Sequence, residues 1–315
     1  MTESQTTRQR LHEWFFDTTG RTLSSAQKLA LLGSILLAVL ASLLIQRLFV
    51  VPQVRGFSPS LVQNSPRTLG LLAAALAIVT GVAVCTLLAG RIRPDAGVFS
   101  AAVALLALRL HAGPTRLALM DGGKTALIGL AIELAVVGLA LIGSFLVLRT
   151  LVRGRFLPDD PDRDGAHLPE EKIDQKLLCT ATTAVVMAVI MMLLSQSDAP
   201  GQALWSVLLA SWLATWCSFR FAPVTPSIWY WMAPILLGVV GYLWTALNGS
   251  ATANIGIPGG FLASIARAAP LDYASVGVAG ALVGYWTGRR YLKERAEAEA
   301  QTPPPPPDEV TYSRG

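Results

Sequence analysis

The chain has 315 residues, of which 53% are hydrophobic and only 14% charged, and its mean hydropathy is +0.51. Soluble domains carry roughly 25% charged residues, so this composition excludes a soluble globular protein and predicts an integral membrane protein. The formal charge of +5 comes from basic residues scattered around apolar runs, with no basic stripe interleaved with aromatics, which excludes nucleic acid as a partner.

The segment 1–26 reads as a cytoplasmic tail. It is too long for a signal-peptide n-region and has no A-x-A site, so the first apolar run is expected to stay as a span. Within it, "LHEWFF" (Leu11 to Phe16) has the make-up of an interfacial segment or of a poorly ordered tail.

A bilayer core of about 30 Å needs about 20 apolar residues per helix. Eight segments come close: 29–51, 69–88, 96–110, 126–148, 177–194, 203–219, 228–247 and 273–286, the third and last being short. The expected fold is therefore an all-α integral membrane protein with about eight transmembrane helices. Placing both termini in the cytoplasm puts 18 of the 25 Lys and Arg residues on that side, as the positive-inside rule favours. The same orientation gives an inner aromatic belt of Trp216, Phe219, Phe221, Trp229, Tyr230 and Trp231, with Trp205 and Trp244 near the outer face. The cytoplasmic (inner) membrane is the expected location.

The chain repeats itself. "QKLALLGSILLAVLASLLIQ" (Gln27 to Gln46) returns as "QKLLCTATTAVVMAVIMMLLSQ" (Gln175 to Gln196). "CTLLAGRIRP" (Cys85 to Pro94) returns as "CSFRFAPVTP" (Cys217 to Pro226), each followed by a small polar residue, Asp95 or Ser227. Each proline sits where a helix should begin, a position that tolerates a missing N–H, and Thr225 is a candidate cap. The fourth helices match more loosely, each after a Gly/Pro-containing loop that ends in Asp121 or Asp272. Four helices per half would make the repeats parallel, with membrane repeat 1 at 27–149 and repeat 2 at 177–291.

In the fourth span, Glu133 is the only carboxylate well inside an apolar run, a costly position that usually has a partner. At 1.5 Å per residue it lies about 10 Å from the start of its span, and Arg109, about 20 Å along the antiparallel third span, reaches a similar depth. Two readings stay open. One is structural: an Arg109–Glu133 ion pair, or a snorkelling Arg109 beside a protonated Glu133. The other makes the two a substrate or proton site.

The linker 150–176 contains "DPDRDGAHLPEE", Asp160 to Glu171, which resembles an EF-hand calcium loop over twelve residues. The resemblance implies Ca²⁺ ligands at Asp160, Asp162, Asp164, the Ala166 carbonyl and Glu171, with a turn at Gly165. Pro161, His167 and Pro169 depart from the pattern, and a solvated acidic linker is the competing reading. Ca²⁺ here is the one candidate cofactor. Cys85, Cys179 and Cys217 each stand alone in an apolar run and read as small buried hydrophobes. His12, His111 and His167 lie outside the centres of the runs, which argues against an intramembrane haem.

In the last span Gly280, Gly284 and Gly288 form a flat strip at four-residue spacing that admits a second helix closely. Packing within the bundle and contact with a second copy or a membrane partner subunit are the rival uses. "RRYLKERAEAEA" extends this helix, and 292–315 forms a charged, Pro-rich cytoplasmic tail whose "TPPPPPDEV" is a stiff polyproline spacer. "NGS" at Asn248 matches a sequon without further support. No GxSxG, Walker, HExxH or GxGxxG motif stands in a supporting context, so the chain is not expected to be an enzyme. The expected function is that of a small-molecule or ion transporter-like membrane protein, and the alternative is a non-catalytic subunit or scaffold of a membrane complex.

Overall fold

The computed structural model describes residues 25–49, 72, 75–81, 83, 94–110, 115–155, 172–196, 199–247 and 263–301. Among them every regular element is helical, with no strand. They are α1 Ser25–Phe49, α2 Pro94–Arg109, α3 Thr115–Arg155, α4 Ile173–Leu194, α5 Pro200–Phe221, α6 Ile228–Leu247, α7 Ala263–Arg267 and α8, residues 270–301. Helix α8 is composite: Pro270–Asp272, a π-helical turn Tyr273–Gly277, then Val278–Gln301. Residues 75–81 are also helical, and Gly81 lies against Ala101 of α2.

Proline opens α2, α5 and α8, where its fixed φ suits the first turn and no backbone donor is lost. Pro226, by contrast, precedes its helix after a cis peptide bond, and α6 starts at Ile228 on the Ser227 carbonyl, which accepts from the Tyr230 and Trp231 N–H groups.

Among the described residues, three helices are long and apolar enough to cross a membrane: Lys124–Val147 within α3, α4 Ile173–Leu194 and α6 Ile228–Leu247, with a shorter apolar stretch at Leu32–Leu44. Their outward faces are apolar. Leu29, Leu32, Leu36, Leu40 and Leu44 form an exposed stripe on α1, and Leu236, Val240, Leu243 and Leu247 form another on α6. Backbone groups satisfied inside each helix, beneath an apolar exterior, suit lipid as the surrounding solvent.

The packing between helices has a reciprocal pattern. Helix α1 packs on α2 and α4 on α6; α3 packs on α6, while the π-helical turn and following residues of α8 pack on α2. Helix α5 lies along α4 and α8. Gly138 admits Ile235, and Gly238 admits Leu134 and the Tyr273 ring, so α3, α6 and α8 meet with little between their backbones.

The aromatic residues divide differently from a belt. Phe221 is exposed, but Phe219, Tyr230 and Trp231 are buried. Phe219, Tyr230 and Tyr285 form a three-ring cluster with centroids 5.2 to 5.7 Å apart. The Tyr230 hydroxyl donates to the Ala222 carbonyl and accepts from the Val224 N–H, tying the end of α5 to the start of α6. Core and lipid are both apolar, so composition alone cannot separate a ring facing one from a ring facing the other.

Candidate functional site

Arg109 occupies the last turn of α2 and Asp272 the first turn of α8. Cations are favoured at a helix C-terminus and anions at an N-terminus, so each charge sits where its own helix stabilises it. The Arg109 Nε donates to Asp272 Oδ1 at 2.7 Å, and Nη2 lies 3.4 Å from Oδ2. Both residues are buried, with 3% and 0% of their surface exposed. Oδ2 also accepts the Ala269 N–H at 2.7 Å, so Asp272 reaches back across its first turn to the residue before Pro270.

Two tyrosines surround this pair. The Tyr242 hydroxyl of α6 donates to the Ala268 carbonyl, and the Tyr273 hydroxyl donates to the Ile265 carbonyl at 2.7 Å. Their rings meet edge to face, 6.2 Å apart at 88°. Both hydroxyls thus hold the short segment that carries α7 against α8. Gly241 admits Ile265 of α7, and Arg267 Nη1 donates to the Ser195 carbonyl at the end of α4 at 2.9 Å.

Glu133 lies in the middle of α3 and is 1% exposed. Tyr242 lies within the electrostatic reach of Glu133, Arg109 and Asp272 together, so the four belong to one buried polar junction among α2, α3, α6 and α8. Arg109 and Glu133, singled out from the sequence, are both in it. Asp272, Tyr242 and Tyr273 were not singled out. The signal for Asp272 was present in "AAPLD": proline at the first helical position and a carboxylate two residues on can reach back to a free N–H.

The glycine strip of α8 lies against α5. A Cβ on Gly284 would come 2.5 Å from the Trp212 carbonyl and 2.9 Å from Thr215 Cβ, and one on Gly288 would come 2.5 Å from the Phe219 ring. A Cβ on Gly280 would meet Ser211 and the Leu208 backbone. Far from the polar junction, the Ser227 hydroxyl donates to Asp95 Oδ1 at 2.5 Å, with both residues buried.

Asp160, Asp162, Asp164, Ala166 and Glu171 of the calcium-type loop lie outside the described residues, as do the "LHEWFF" segment, Asn248 and the polyproline stretch. Among the described residues no group of three or more His, Cys, Asp or Glu side chains is arranged to hold a metal ion.

Chemically, the junction joins one permanent cation and two carboxylates to two phenols inside an apolar bundle. It can hold or exchange a small ion or a proton. Among these residues there is no nucleophile paired with a base. No protein-family model, curated protein or solved structure matches the chain.

Proposed function

We propose that this protein is an eight-helix membrane bundle of two parallel four-helix repeats, with both termini cytoplasmic, that carries a small solute or ion across the membrane. The observation that carries this reading is the buried Arg109–Asp272 pair together with Glu133 at a junction of four helices. Charges inside an apolar bundle are costly, and a protein that only needs a bundle has cheaper ways to fill it.

Two features support the repeats. Asp95 and Ser227 hold equivalent places after "RIRP" and "PVTP", and they are hydrogen-bonded to each other, as equivalent residues beside a two-fold axis would be. The fourth helix of each half also packs on the third helix of the other, α3 on α6 and α8 on α2. Parallel repeats of this kind occur in transporters, where substrate sites lie near the interface of the halves. The polar junction lies between α2 and α3 on one side and α6 and α8 on the other.

The subunit or scaffold alternative drew on the glycine strip of α8. That strip is filled by α5, so it lends this alternative no support.

Reconstitution into liposomes tests the transport reading. Candidate ions and small solutes are offered under an imposed gradient, and Glu133→Gln is expected to abolish flux at unchanged protein abundance. Loss of the protein itself in that variant would make Glu133 a structural residue and remove the basis of the proposal.

A further inference from the structure

We propose that the end of α5 carries a binding site for the phosphate of an anionic phospholipid, and that Arg220 is the residue that holds it. The inference depends on the protein standing in a membrane, and not on whether it moves a solute.

Arg220 lies in the last turn of α5. Helices α4 and α6 are each long and apolar enough to span a bilayer, so their ends mark where the hydrocarbon stops. Near the start of α4 the Thr180 hydroxyl donates to the Trp229 carbonyl at the start of α6, and α5 ends at Phe221, shortly before α6 begins. Arg220 therefore stands at the boundary between hydrocarbon and headgroups, on the cytoplasmic side in the orientation proposed above. Beside it Phe221 is 87% exposed, as an interfacial ring facing lipid would be.

The guanidinium is held by rings. Its Cζ lies 4.7 Å from the centroid of the Tyr291 ring of α8 and 5.9 Å from that of Trp216, one turn back on α5. Nη2 donates to the Tyr291 hydroxyl at 3.2 Å. Among the described residues these contacts include no carboxylate, whereas Arg290 pairs with Glu294 at 2.7 Å. A guanidinium has five N–H donors in one plane. Rings engage its faces and Tyr291 takes one donor, so in an exposed residue the others are open to the headgroup layer, in the fork that matches two phosphate oxygens. Lys172, Lys176, Arg289 and Arg290 stand at the same end against Asp174 and Glu294, which favours an anionic lipid over a zwitterionic one.

The flank of α5 points to a lipid rather than to free phosphate. Trp205, Leu209, Leu213 and Trp216 recur at helical spacing on one side of α5, all exposed or partly exposed, and the stripe ends at Arg220. From Arg220 back to Leu209 it runs about 16 Å at 1.5 Å per residue, the depth of one leaflet of a hydrocarbon core about 30 Å thick. A phosphate bound at Arg220 thus has a path for its acyl chain along the same helix.

Native mass spectrometry of the purified full-length protein in mild detergent tests this. The wild-type protein is expected to retain one long-chain phosphatidylglycerol at least about tenfold more tightly than phosphatidylcholine with the same chains. Arg220→Gln should lose that preference while phosphatidylcholine retention stays the same, a readout that a merely structural Arg220 would not give. Arg220→Lys keeps the charge and guards against a misfolded Gln variant; lacking the fork, it should bind phosphatidylglycerol several-fold more weakly than wild type. Lys172→Gln, at the same membrane face, should leave the preference in place. No preference in the wild type, a preference that survives Arg220→Gln, Arg220→Lys equal to wild type, or an equal loss in Lys172→Gln, the mark of diffuse surface charge, overturns the proposal. Displacement of the lipid by inorganic phosphate, or equal retention of dihexanoyl phosphatidylglycerol, would show that the acyl chain takes no part and overturns the lipid assignment.

Discussion

Arg109 and Asp272 stand 163 residues apart in the chain and meet at 2.7 Å, joining the C-terminus of one helix to the N-terminus of another. Neither charge is solvated, so each depends on the other and on its helix end.

Asp272→Asn should therefore be among the most damaging isosteric changes available. It takes the Asp272 carboxylate away from a buried guanidinium and weakens the reach-back to the Ala269 N–H, at an expected cost of about 3–5 kcal/mol. Combining it with Arg109→Gln should recover a large part of that loss, because the buried cation that Asp272 balanced is gone as well. Unfolding midpoints of the single and double variants in one detergent measure the coupling. Strictly additive losses would mean that the pair does not act as a unit.

The glycines of α8 predict a contrast with a glycine elsewhere. Gly284→Val drives a side chain into the Trp212 carbonyl, a backbone atom that cannot rotate away, and should cost about 3 kcal/mol or more. Gly143 on α3 has nothing within 4 Å of where a Cβ would stand. Gly143→Ala should therefore stabilise by roughly 0.5–1 kcal/mol through helix propensity alone. Thermal scans of the two variants check the sign as well as the size.

Much of the helical layout was legible in the sequence, because an apolar run of about 20 residues has few other uses. The ends of the helices were less so. The last span was read as 273–286 with "RRYLKERAEAEA" continuing the helix, and α8 does run on to Gln301, but it begins earlier, at Pro270. Asp272 lowers the local hydropathy and reads as the end of a loop. A partner 163 residues away balances its charge inside the bundle, and no local pattern announces that partner. Glu133 and Arg109 were recognisable because a charge amid apolar residues is conspicuous by itself. Tyr242 and Tyr273 were not, since a tyrosine in a span is ordinary until the carbonyl it bonds is known. Gly238 and Gly241 became meaningful only with Leu134, Tyr273 and Ile265 beside them.

The Asp95–Ser227 contact predicts a cross-link between the halves. With the chain divided between residues 155 and 172 and both fragments expressed together, Asp95→Cys and Ser227→Cys should form a disulfide that joins the fragments under mild oxidation. The fragments should migrate as one band without reductant and as two with it. Persistent separation in both lanes would mean that these helix starts do not adjoin.

Tyr242→Phe isolates the hydroxyl that holds the segment before α8. The ring remains against Tyr273, so packing is kept, while the Ala268 carbonyl loses its donor in a buried site. Leaving that acceptor unsatisfied should cost about 1–3 kcal/mol. The effect should also be local, because the neighbouring Ala269 N–H is bound to Asp272 and the Tyr273 hydroxyl still holds Ile265. Amide hydrogen exchange in peptides spanning 263–273 should therefore quicken more than in the middle of α5, while the α5–α8 contact stays protected. A uniform rise across all helices would show that Tyr242 supports the bundle as a whole. Unchanged exchange at 263–273 would show that Ala268 is held by the ring contacts alone.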